Sequence, residues 1–373
     1  MKLLDRYVAK NFLIGYLIAF FVLIGLCVTL DLFVNLDEFA ERADQGARAV
    51  MGNLLAYYGP RIALWFRYLA SMITVIAAVF SLARMTKNNE LIAVMASGTS
   101  LKRVLAPILL LAVLLTGLLV VDEELIIPRL AQDLTLQHDE VGEGRRYAVW
   151  FMSDSFGNLI CCREYDETQK AMLSPFVILR RSDPQTQRWN VIGQAEAERA
   201  VYDSDRAGWL LESGRRMNVL AEMTEIPQSL IVEPMAFLPS DLTPDQIPLR
   251  RQEGYKSFLS LRQLDALIEN PGTRTTDMAE LVMQKHARIV DPIMNLILLM
   301  VALPVLVCRD PRDMKSAISI SFIITLSCFV VTFLCKLLAT EPIGGRIYPE
   351  IWVWAPIAIF LPIAFLQIDS MKT

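Results

Sequence analysis

Few residues in this 373-residue chain could do chemistry, and none of them falls in a pattern that would. His138 and His286 are the only histidines, and each lies in an expected helix near the end of an apolar run, where a solvated structural role is the better reading. Asp203 and Asp205 are paired carboxylates by spacing, but they stand just before Gly208, where an aspartate tends to bond its own backbone in a turn. Cys161 and Cys162 are neighbours in an expected strand, so their side chains point to opposite faces and a bond between them would be strained. Cys27, Cys308, Cys328 and Cys335 lie in or beside apolar runs, where thiols act as small apolar groups. There is no G-x-x-x-x-G-K-[ST] phosphate loop, no H-E-x-x-H zinc motif and no G-x-S-x-G nucleophile elbow. The expectation is a chain with no catalytic centre, no metal and no cofactor of its own.

The segment that invites a functional reading is Arg84 to Arg103, RMTKNNELIAVMASGTSLKR, held between two long apolar runs. Asn88 or Asn89 can cap a short helix, Glu90 then sits where the helix dipole favours a carboxylate, and Gly98 can close it. Leu91, Val94 and Met95 recur at helical spacing and form one apolar stripe. Thr99 or Ser100 can cap the next helix. Such a helix lies along a membrane surface, tied at both ends to spans that must move when it is pushed.

The elements that position this segment are membrane spans. The chain is 54% hydrophobic with a mean hydropathy of +0.40, and its apolar residues are bunched. Six runs lack Asp, Glu, Lys and Arg: Asn11 to Leu30, Tyr68 to Ala83, Val104 to Val121, Pro292 to Cys308, Ser316 to Cys335 and Ile351 to Ile368. Each approaches the roughly 20 residues that a helix needs to cross a bilayer core. The second run is expected to extend back through Ile62 to Phe66, leaving Arg67 near an interface where its stem can snorkel. Because cations are retained inside, Lys2, Arg6 and Lys10, then Arg84, Lys87, Lys102 and Arg103, then Arg309, Arg312 and Lys315 belong on the cytoplasmic side. Both termini are then cytoplasmic, and residues 122–285 lie outside. Lys336 and Asp291 stand at interface depth, and the runs themselves hold no charge, which argues against an ion-driven carrier.

The outer segment alternates short apolar stretches with turn formers at roughly 8 to 12 residue spacing, the pattern of an antiparallel sandwich, roll or open barrel. Helices are expected over Asp122 to Gly144, Ser260 to Asn270 and Asp277 to Val290. The fold class is an α-helical membrane protein with six transmembrane helices and an inserted all-β domain. Its domains are residues 1–121 with spans one to three, 122–285 with the β domain, and 286–373 with spans four to six. The net charge of -4, with no basic aromatic patch, argues against nucleic acid.

Leu4-Asp5-Arg6-Tyr7 before the first span, Glu90-Leu91-Ile92-Ala93-Val94-Met95-Ala96-Ser97-Gly98 after the second, and the three-plus-three layout around a β insert resemble the LptF/LptG permeases of lipopolysaccharide export. The N-terminal tetrad is more like the LptG half. The resemblance implies an inner-membrane subunit with a jelly-roll domain in the periplasm. It implies a second permease half, a cytoplasmic ATPase dimer that holds the ATP and Mg, periplasmic jelly-roll proteins like LptC and LptA, and lipopolysaccharide as cargo. It also implies that Glu90, Leu91, Val94, Met95 and Gly98 make the contact that couples to the ATPase; the plain alternative is that Glu90 only favours a helix N-terminus.

The family's β domains carry lipid along a greasy interior. Trp150, Ile160, Val177, Trp189 and Trp209 are candidate lining residues, with an ordinary hydrophobic core as the alternative for each. Where the family commonly has basic residues beyond the first span, this chain has Asp31, Asp37, Glu38 and Glu41. Arg61 or Arg67, or the partner half, are therefore the candidate contacts for lipid phosphates. A competing function is a mechanotransmission subunit, in which ATP hydrolysis moves the outer domain without moving lipid.

Overall fold

A computed structural model describes residues 3–35, 47–134, 146–182, 189–218, 232–251, 254–269, 275–306, 314–341 and 347–370. The expectations for Lys2, Asp37, Glu38, Glu41, His138 and the rest of residues 135–144, Cys308, Arg309 and Arg312 fall outside these residues. Among the described residues, six helices are long and apolar enough to cross a membrane.

The helical unit comprises Met1–Leu130, Leu259–Leu261 and Ala279–Thr373. Its helices are α1 (Leu3–Val34), α2 (Ala47–Lys87), the short α3 (Glu90–Ala96), α4 (Leu101–Val121), α8 (Thr275–Leu306), α9 (Met314–Thr340) and α10 (Pro349–Ser370). A π-helical turn, Asp122–Ile126, joins α4 to α5 (Ile127–Leu134). The helical expectation from Asp122 thus holds as far as Leu134.

On α1, Val8, Phe12, Tyr16 and Ala19 are buried at three- and four-residue spacing, which places one stripe against α2 and α4. Ile73, Ala77 and Leu82 of α2 and Ile108 and Ala112 of α4 complete that core. Small residues at such contacts let helix backbones approach closely, the main source of packing energy where lipid competes with side chains. A second core joins Val290, Met294 and Ile297 of α8 to Ala339 of α9 and Val353 of α10.

The second unit comprises Ala131–Phe258 and Arg262–Met278. Its strands are β1 (Arg146–Ser153), β2 (Leu159–Asp166), β3 (Ala171–Ser182), β4 (Trp189–Glu196), β5 (Arg199–Asp203), β6 (Gly208–Glu212), β7 (Arg215–Asn218), β8 (Val232–Pro234) and β9 (Phe237–Pro239), followed by α6 (Gln246–Arg251) and α7 (Leu261–Ile268), whose first residue belongs to the helical unit. All pairings are antiparallel. The order is β8-β7-β4-β3-β5-β6-β9, with β2 and then β1 on the other side of β3. β3 is long enough to serve two neighbours on one side, pairing β4 through 176–182 and β5 through 171–173. β9 was not legible in the sequence, because three residues are too few to show alternation.

The turn between β1 and β2 is tied by Asp154, which is 2% exposed. Its Oδ1 accepts from the Asn158 backbone N–H at 2.7 Å, and its Oδ2 accepts from Asn158 Nδ2 at 3.0 Å and Ser240 Oγ at 3.2 Å. Burial pushes this carboxyl above the usual range, against the pull of those donors. A raised pKa favours the protonated form in the fold, so the group's stabilising contribution is full below its unfolded value of about 4 and is lost as pH rises through the raised value. Asp154→Ala should cost about 1–3 kcal/mol by stranding buried donors, and should cost more at acid than at neutral pH. Hydrogen exchange of the β1–β2 turn at the two pH values checks this; an equal cost at both would refute the assignment.

Candidate functional site

The segment between the second and third spans folds as a short helix between two left-handed residues. Asn89 has φ 57 and Gly98 has φ 78. The expected side-chain cap is not made: Asn89 is in the left-handed region, and Asn88 Nδ2 instead donates to Glu90 Oε1 at 3.0 Å. Ser100 likewise stands at the start of α4 without a side-chain cap, and the Thr99 and Ser97 hydroxyls are 3.1 Å apart. Gly98 donates its N–H to Met95 O at 3.0 Å, closing the helix in a conformation that glycine adopts without strain.

Glu90 is held from a second direction, by the Tyr7 hydroxyl of α1, 2.8 Å from Oε2 and 3.0 Å from Oε1. The phenol donates one hydrogen bond shared between the two oxygens. Leu91 is fully buried in the core of α1, α2 and α4, and Val94 and Met95 pack against that core. Leu91 thus faces the core, while Val94 and Met95 are only partly buried. Leu91, Val94 and Met95 seat the helix, burial of Leu91 contributing about 1.5–3 kcal/mol. The exposed face of the helix is formed by Ile92, 38% exposed, with Ala93 and Ala96.

For Arg67 the snorkelling expectation is corrected. Its Nε lies 2.9 Å from Glu123 Oε1, with side-chain exposures of 7% and 2%. It is buried in an ion pair rather than snorkelling. Arg288 of α8 donates through Nη1 to Glu123 O at 2.6 Å and through Nη2 to Leu259 O at 2.7 Å. Glu124 Oε2 accepts from the Leu261 N–H at 3.0 Å. The π-turn thereby meets α2 and the 259–261 segment through consecutive acid side chains, and α8 through a backbone carbonyl. Lys336 and Asp291 form a local pair at 2.7 Å, joining α9 to α8. Arg61 stacks on Tyr57, 3.4 Å from guanidinium carbon to ring centroid. Asp31 accepts from Tyr58 at 3.0 Å. His286 Nδ1 accepts from Trp354 Nε1 at 3.2 Å, a structural role.

In the β domain the candidate lining residues separate. Ile160, Val177 and Trp209 are at most 2% exposed and form a filled core with Leu238, Leu242 and Ile247; Trp209 Nε1 donates to Leu242 O at 3.1 Å. Those three are core, not an open groove. Trp150 is 71% exposed on β1, away from that core. Trp189 alone of the five lines an open cleft, of about 630 Å³. Cys161 and Cys162 are free and buried, and burial pushes the Cys162 thiol up to about 12. Asp203 accepts from the Asp205 N–H at 3.0 Å, the turn role. Among the described residues no group of His, Cys, Asp and Glu could hold a metal.

Residues 6–368 match the family model described as lipopolysaccharide export system permease LptF/LptG. The chain belongs to the LptF/LptG family. That match does not separate an LptF half from an LptG half. No curated protein matches the chain significantly. An LptF/LptG permease is a transport component of lipopolysaccharide export, and the six apolar helices with an inserted antiparallel β sheet accord with it. In this LptF/LptG chain the two sequence pieces that carried the resemblance meet in space, through Tyr7 and Glu90. Sequence reasoning did not pair them, and missed Glu123 as the partner of Arg67; 83 residues separate the first pair.

Proposed function

We propose that this chain is one membrane half of an ATP-driven extractor that takes lipopolysaccharide from the outer leaflet of the inner membrane and passes it to a periplasmic bridge of β-jelly-roll proteins. A second LptF/LptG-type half completes the membrane body, and a separate cytoplasmic ATPase dimer binds ATP and Mg. Both termini are cytoplasmic and the β domain is periplasmic. The observation that carries the reading is α3, a seven-residue helix seated by Leu91 and clamped through Glu90 to Tyr7, with Ile92, Ala93 and Ala96 turned outward. Closure of an ATPase dimer against that face would move α1, α2 and α4 together.

The filled core around Trp209 favours a second reading, a subunit that moves its β domain without passing lipid. Purification in mild detergent separates the two. The export reading expects an ATPase, a second permease half and bound lipopolysaccharide to accompany the chain. Recovery of the ATPase without lipid, with no lipid-stimulated ATP turnover on adding it back, selects the second.

A further inference from the structure

The open cleft of the β domain is built from two kinds of surface. Leu179, Ile192 and Leu238 supply an apolar wall, and Arg180, Arg181 and Arg216 supply guanidinium groups; none of the described lining residues is Asp or Glu. Their assembly has a visible cause. β3 and β4 slip register by one residue between Leu179 and Arg180, leaving Ile192 as the extra residue on β4. Such bulges re-aim side chains. Here the core residue Leu179 and its two cationic neighbours come to share one cleft.

The back of the cleft is held by Trp189. Its indole packs on Gly157, φ 84, where any added Cβ would collide with the ring. The Arg180 guanidinium carbon lies 5.3 Å from the same ring, with Nε donating to Gly157 O at 2.6 Å. Arg216 is steadied by donating to Asn218 Oδ1 at 2.8 Å, and Arg181 is exposed. Guanidinium groups beside an apolar wall match a ligand with an anionic group and an attached hydrocarbon. A soluble phosphate would leave the half-buried Ile192 wet, with Leu179 and Leu238 closing the cleft behind it. A neutral lipid would bring no anion to the guanidinium groups of Arg181 and Arg216.

We propose that this cleft is a subsite for the phosphate group of a phosphorylated lipid, with Arg181 and Arg216 as its contacts and Arg180 as the residue that positions Trp189. The inference rests on the reading that the chain handles such a lipid, and it adds recognition of the charged end to a domain otherwise read as an apolar conduit.

The test uses the full-length chain with its partners in phosphatidylethanolamine nanodiscs. A photoreactive residue replaces Ile192 in one preparation and Phe21 of α1 in another. The probes are diphosphoryl lipid A and the same lipid stripped of phosphate. Capture at position 192 should be about tenfold stronger for the phosphorylated probe, as charge-assisted hydrogen bonds require. That preference should vanish in Arg181→Glu/Arg216→Glu and largely survive in Arg181→Lys/Arg216→Lys, which guards against misfolding. Equal capture of both probes at position 192 alongside capture at position 21, or a preference that survives the Glu exchange, overturns the subsite alone. No capture at either position overturns the cargo reading and the subsite with it.

Discussion

Glu123→Ala should be among the most damaging single substitutions in the helical unit, costing about 3–5 kcal/mol, because it removes the carboxylate paired with the buried Arg67 guanidinium. The same change removes neither the Glu123 backbone carbonyl nor its bond from Arg288, so the loss isolates the side-chain pair. Replacing both partners with apolar residues of similar size, Arg67→Met with Glu123→Leu, should recover most of the loss, since the desolvation cost of two charges disappears together. Thermal unfolding in detergent, followed by α-helical circular dichroism, provides the comparison. A double variant as unstable as the single one would show that packing around the π-turn, not charge, sets the cost.

Glu90→Ala should lower ATPase-coupled transport by roughly 5- to 150-fold, the range of a coupling energy between two sites, while the chain still folds and inserts. Two devices could underlie such a loss, a direct contact with the ATPase or the bond that ties α3 to α1 through Tyr7. Tyr7→Phe separates them: it deletes the donor and leaves the carboxylate in place. If the clamp transmits the motion, Tyr7→Phe reproduces most of the Glu90→Ala defect in reconstituted complex. If Glu90 meets the ATPase directly, Tyr7→Phe is nearly silent and Ile92→Asp, on the outward face, carries the defect. Normal coupling in Glu90→Ala would remove this residue from the mechanism.

The spans were legible because charge-free runs of this length have few other uses, and the β domain because alternation and turn formers recur at strand spacing. Asp154 and Asp203 even took the turn positions their residue types favour. What the sequence hid lies between elements. Arg67 stands just outside an apolar run and reads as an interfacial cation until α2 is seen to bury it against Glu123 of the π-turn. Alternation told which residues of β2, β3 and β6 share a face, but not that Leu238, Leu242 and Ile247 fill it. The stripe of Leu91, Val94 and Met95 was sound as periodicity; which way it turned depended on the core of α1, α2 and α4.

The brevity of α3 has a consequence for inhibitor design. Seven residues cannot nucleate a stable helix in water, where runs shorter than about 12–15 residues are marginal. If an ATPase docks on this helix as proposed, a soluble peptide copying Glu90 to Gly98 will therefore be a poor competitor for it. A useful decoy must be stapled or grafted between two rigid supports, because the shape being recognised belongs to the scaffold as much as to the segment.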